Sequence, residues 1–122
     1  SKGTLSIPLG EYDRAMSTLN TLPNNGWAMW RRGIMKVMSG DLSGAKSEMN
    51  NLRKLFTDNG WDDNGFIHYA NAVIAAREGD SNKVSSDLKL ALDNDSTGEL
   101  KERLVNDVEF LNYSDAVKAA MN

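Results

Sequence analysis

The sequence predicts an all-α fold of about six to seven helices, stacked as antiparallel hairpins in an α-solenoid. Three observations lead there. Apolar residues recur three and four apart along most of the chain, with almost no strand-like alternation. Both prolines fall within the first 23 residues, so nearly all of the chain is free of the strongest helix breaker. A glycine followed by an acid recurs at Gly10-Glu11, Gly40-Asp41 and Gly79-Asp80, the grammar of one helix ending and the next beginning.

Size and charge narrow the classes further. A chain of 122 residues with 40% hydrophobic content is expected to form a single domain, 1–122, burying about two-thirds of its unfolded surface. The net charge of −3 supplies no basic footprint for nucleic acid and no polybasic face for an anionic membrane. Without cysteine there is no disulfide framework and no thiolate metal site. No apolar run approaches the ~18–20 residues of a bilayer span. The chain starts Ser1-Lys2-Gly3 without a methionine, as expected of a piece of a longer protein with flanking domains.

Each helix has its own signature. Residues 11–22 place Tyr12, Ala15, Met16, Leu19 and Leu22 on one stripe before Pro23-Asn24-Asn25-Gly26 interrupts it. Residues 27–39 follow, with Trp27, Trp30, Ile34, Val37 and Met38 on the apolar side and Gly40 as the stop. Asp41 caps residues 42–56, where Ala45, Met49, Leu52 and Phe56 repeat at helical spacing. After the polar loop 58–65, residues 66–78 carry Phe66, Tyr69, Ala70, Val73 and Ile74 inward. Gly79-Asp80 repeats the corner, and Val84, Leu88, Ala91 and Leu92 form the next stripe. Ser96 and Glu99 have capping-box spacing, ahead of Leu100, Leu104 and Val108 on one helix. Ser114 is placed to cap a last helix with Ala116, Val117 and Ala120.

Aligning the corners exposes a repeat. Five residues after each glycine stands Ala15, Ala45 or Val84, nine after it Leu19, Met49 or Leu88, and twelve after it Leu22, Leu52 or Ala91. Spacings of 30 and 39 residues between the glycines fall within the range of helical solenoids. The small residue lets paired helices approach closely, and the larger ones fill the space beyond. The division is a partial first repeat 1–26, a second 27–57, a third 64–93 and closing helices 96–122.

These residues resemble the tetratricopeptide repeats. Gly10, Tyr12, Ala15 and Leu19 match the second half of one repeat. Gly40, Ala45 and Met49, preceded by Trp30, Ile34 and Val37, match the next. Gly79, Leu88 and Ala91, preceded by Tyr69, Ala72, Val73 and Ala76, match the third. The corner is a residue shorter than the family pattern, Leu42 and Ser81 stand where it has an aromatic, and Val84 replaces its alanine. Residues 100–110 resemble the tails that close such arrays in bacterial envelope-associated proteins, which implies a cytoplasmic or periplasmic, envelope-associated setting.

The resemblance implies a non-catalytic scaffold that binds a peptide or protein on a concave face lined by the first helix of each repeat. With Trp30 and Tyr69 as packing positions, Arg31, Met35 and Met38, together with Ala70, Ile74 and Arg77, are the expected contact residues. Methionine and arginine suit a groove that receives a peptide or helix; a solvated face is the plainer reading of the arginines. The alternative role is a spacer or capping segment of a larger envelope protein, with no ligand of its own.

No reaction chemistry converges, and neither a cofactor nor a metal is expected. His68 has no second histidine for a metal pair or dyad, and no nucleophile motif accompanies it. An enzyme or small-molecule site would have to draw on His68, Asp62 and Trp61. Residues 93–98 resemble the first half of a calcium loop, but Leu104 stands where the bidentate glutamate belongs. Trp61 lies in a polar loop, where an exposed aromatic suggests a contact.

Overall fold

The computed structural model describes residues 24–122, without the side chains of residues 24, 25 and 27. The expected helix 11–22, and with it the copy of the register at Gly10, Tyr12, Ala15, Leu19 and Leu22, lies outside the described residues. Among those described there are six α-helices and no strand: α1 (Asn24–Ser39), α2 (Leu42–Asp58), α3 (Gly65–Glu78), α4 (Ser81–Asp93), α5 (Glu99–Asn106) and α6 (Ser114–Met121). A 3-10 turn, Val108–Phe110, joins the last two. The chain divides between Asp63 and Asn64 into two compact units, one holding α1 and α2, the other α3 to α6.

In the first unit α1 and α2 pack on each other across a two-residue corner. Gly40 takes φ +88°, a conformation costly for any residue with a Cβ. That geometry lets Gly40 N donate to Val37 O (3.1 Å) and Asp41 N to Lys36 O (2.8 Å), satisfying carbonyls that the helix end leaves open. Asp41 then caps α2, its Oδ1 accepting from Gly44 N at 2.9 Å. Trp30, Ile34 and Val37 from α1 and Ala45, Met49, Leu52 and Phe56 from α2 are buried. Gly33 lets the helices close in, because the end of the Met49 side chain fills the place of its missing Cβ. Glu48 ties the pair together, accepting from Lys36 Nζ (2.9 Å) and Arg32 Nε (3.1 Å).

The second unit opens with the same device. Gly79 has φ +80°; its N donates to Ala76 O (3.2 Å) and Asp80 N donates to Ala75 O (3.0 Å). Asp80 caps α4 by accepting from Lys83 N at 3.1 Å. The start of α3 meets the end of α4: Gly65 N donates to Asn94 O at 3.1 Å. A Cβ on Gly65 would sit 2.5 Å from Ala91 O and 2.9 Å from Leu100 Cδ1, so only glycine fits. Helix α3 is buried almost all round, from Phe66 to Ala76 with Asn71 alone half-buried. Helix α6 packs on α4 through Ala116 and Ala120.

The unit's C-terminal part departs from the sequence expectation in three places. Leu100, Leu104 and Val108 do not share one helix. Helix α5 ends at Asn106 because Asp107 turns extended (φ −80°, ψ 114°) and starts the 3-10 turn, its Oδ1 accepting from Glu109 N at 2.9 Å. Ser96 and Glu99 form no capping box: Gly98 is the capping residue, Asp95 Oδ2 accepts from Leu100 N (2.9 Å), and Glu99 pairs with Arg103. Ser114 is the first residue of α6, whose cap is Tyr113 without a side-chain bond.

Candidate functional site

The two helix pairs are related by a constant offset of 39 residues. It carries Gly40-Asp41 onto Gly79-Asp80, and Ala45, Met49 and Leu52 onto Val84, Leu88 and Ala91, all six of them buried. It also carries Asn25-Gly26 onto Asn64-Gly65, a sign of where each copy begins that the reading of corners missed. Under the same offset Arg31, Met35 and Met38 of α1 fall on Ala70, Ile74 and Arg77 of α3. The six expected contact residues are therefore three equivalent positions, seen twice.

Their surroundings differ. On α1, Arg31, Met35 and Met38 follow one another at helical spacing and are exposed, Met35 to 55% and Met38 to 46%. On α3, Ala70 and Ile74 are buried and present no surface to a ligand, and Arg77 is half-buried against a partner from its own chain.

That partner is the segment 107–113, which joins α5 to α6, contains the 3-10 turn and is laid along α3. Tyr69 OH donates to Asp107 Oδ2 at 2.6 Å, and the Tyr69 ring meets Phe110 edge to face at 5.6 Å. Arg77 holds Glu109 with two parallel bonds, Nε to Oε1 (3.2 Å) and Nη2 to Oε2 (2.9 Å). Tyr113 OH donates to Ala76 O at 2.7 Å. The Glu109 side chain is only 3% exposed, so the bidentate pair compensates a carboxylate otherwise costly to bury. Sequence reasoning gave Asp107, Glu109 and Tyr113 no role, because their partners lie 38, 32 and 37 residues away. An acid at 107 inside an apolar stripe was the one local hint.

One carboxylate in the first pair is tuned by its setting. Glu48 is held below its ordinary value of 4.5, chiefly by the Lys36 hydrogen bond and then by Arg32, with burial opposing both. Its equivalent, Asp87, has no cation at the matching α3 positions, Asn71 and Ala75, and pairs instead with Lys83 on its own helix at 3.0 Å.

The remaining candidates take structural places. Trp61, at the polar loop, donates its backbone N–H to Phe56 O (3.0 Å) and sets its ring edge to face on Phe56 at 5.4 Å, closing the end of α2. Asp62 is exposed beside it, and His68 is buried within α3. Asp95, in the calcium-like stretch, accepts from Thr97 N and Oγ1 as well as Leu100 N. Among the described residues no group of three or more His, Cys, Asp or Glu is placed to hold a metal ion, and no helix is long and apolar enough to cross a membrane. Comparison with protein-family models, curated proteins and solved structures gives no match.

Proposed function

We propose that the chain is a non-catalytic protein-interaction scaffold, a tetratricopeptide-like helical repeat of the α-solenoid kind. It receives a peptide or protein segment on the face of α1 formed by Arg31, Met35 and Met38. One observation carries the reading: on α3 Ile74 is buried and Arg77 is held by a segment of the chain's own polypeptide, whereas the equivalent Met35 and Met38 on α1 are exposed. The position that holds a polypeptide segment in one copy, Arg77, corresponds to Met38 in the other, which makes Met38 and its neighbour Met35 a reasonable receptor. Two flexible methionines beside an arginine adapt to an apolar helix or strand carrying an acid.

Selection of peptides from a displayed random library on the full chain tests this. Enriched peptides should bind the wild type and lose affinity by tenfold or more, about 1.4 kcal/mol, when Met35 and Met38 are changed to glutamate, both exposed enough to leave the fold intact. A library that yields no binder, or binders indifferent to that change, contradicts the proposal. The former result favours the alternative role, a spacer or capping segment without a ligand of its own.

A further inference from the structure

Charge in this chain is unevenly placed, and the imbalance falls on α1. Six cations stand against three acids between residues 24 and 58, although the whole chain carries −3. Helix α1 itself holds Arg31, Arg32 and Lys36 and no acid, whereas α3 holds Arg77 and Glu78. Arg31 and Arg32 precede Met35 by four and three residues, which makes both of them its neighbours one turn earlier on the helix surface. Both are exposed, as Met35 and Met38 are. Lys36 lies further round, toward α2.

Glu48 answers this charge from α2, but only in part. Its Oε2 accepts from both Lys36 Nζ and Arg32 Nε, so two cations share one carboxylate and a positive charge is left over. The Glu48 side chain is drawn inward, 12% exposed, while that of Arg32 is 54% exposed. Arg32 commits its Nε alone; among the described residues its two terminal nitrogens bond nothing. Arg77 illustrates the fuller pairing, with Nε and Nη2 both engaged by Glu109. A carboxylate arriving beside Met35 therefore meets an open guanidinium edge suited to it. A basic segment would meet like charge at the same place. We infer, on the footing that α1 is the receptor face, that its occupant is an acidic peptide. An aspartate or glutamate of that peptide binds the terminal nitrogens of Arg32, and a neighbouring apolar side chain rests on Met35 and Met38.

A displayed library of random peptides, selected on the full chain at about 0.1 M salt, tests face and sign separately. Binders of the face are those lost when Met35 and Met38 are both changed to glutamine, a change that adds no charge. They should be richer in Asp and Glu than the starting library. Arg32→Gln should weaken them by about tenfold or more, with helicity and Tm unchanged because Glu48 keeps its bond to Lys36. Lys54→Gln, which removes an exposed cation paired with Asp58 on α2, should leave their binding as it is. Face binders that are neutral or basic, or that ignore Arg32→Gln, overturn the acidic partner while leaving the face in place. Equal loss with Lys54→Gln overturns Arg32 as the anchor. A library without binders that depend on Met35 and Met38 removes the face itself, and the acidic partner with it.

Discussion

The two helix pairs share a corner, a core register and an offset of 39 residues, yet one first helix has an open face and the other is enclosed. In α1, Trp30, Ile34 and Val37 are buried on one side while Met35 and Met38 lie open on the other. In α3, both sides are buried, and the polar anchors Tyr69 and Arg77 hold the chain's own segment 107–113. The comparison teaches that local grammar fixes how a helix turns back on its neighbour, whereas the residue at a few equivalent positions fixes what else it can hold. Met38 against Arg77 is the clearest case.

The largest effect should come from the place where the start of α3 meets the end of α4. Gly65→Ala would drive a Cβ into Leu100 and into two backbone carbonyls, Ala91 O and Asn94 O, which cannot retreat cheaply. A loss of about 3 kcal/mol is expected in denaturant unfolding, against a small effect for Gly33→Ala, where only the mobile end of Met49 must move.

Next comes the conversion of one face into the other. Arg77→Met gives α3 the side chain that α1 carries at the equivalent position, and leaves Glu109 buried without its cation. The expected cost is about 2–3 kcal/mol, most of it recovered when Glu109 is also replaced by methionine. Equal stability of the single and double variants would show that the pair does not hold the segment.

The corners should then respond alike. Gly40 and Gly79 have open space where a Cβ would go, so alanine there meets backbone strain alone. About 1 kcal/mol each is expected; a large inequality would mean that the corners are not equivalent.

The smallest effect is a pH dependence confined to the first pair. Because Glu48 titrates below 4.5 when folded, the unfolded chain takes up the proton first. Its contribution is complete above that value and is lost as the pH falls through the folded one. Glu48→Gln should lower stability at neutral pH by less than about 1 kcal/mol, and the difference from wild type should vanish in acid.

What the sequence made legible follows physical range. Gly40-Asp41 and Gly79-Asp80 announce themselves because a helix stop and a cap are written in adjacent residues. The stripes Ala45, Met49, Leu52 and Val84, Leu88, Ala91 follow because helical period is local. The all-α class rests on such signals. Asp107 was opaque for the opposite reason: it interrupts a stripe of proper spacing, and the group that rewards the interruption, Tyr69, is 38 residues away. Ser96 and Glu99 had the letters of a capping box, but the Asp95 carboxylate reached the same helix end first. Periodicity marked one face of each first helix, Arg31, Met35 and Met38 on α1 and Ala70, Ile74 and Arg77 on α3, but only tertiary packing closed that face on α3.

The chain contains no cysteine, so the contrast between the two faces can be read one thiol at a time. Met35→Cys and Ile74→Cys occupy equivalent positions, and their reaction with a small thiol reagent under native conditions reports directly on cover. If the α1 face is open and the α3 face enclosed, the thiol at 35 should react as fast as in the unfolded chain and that at 74 at least about a hundredfold slower. Comparable rates would contradict the distinction on which the proposed binding face rests.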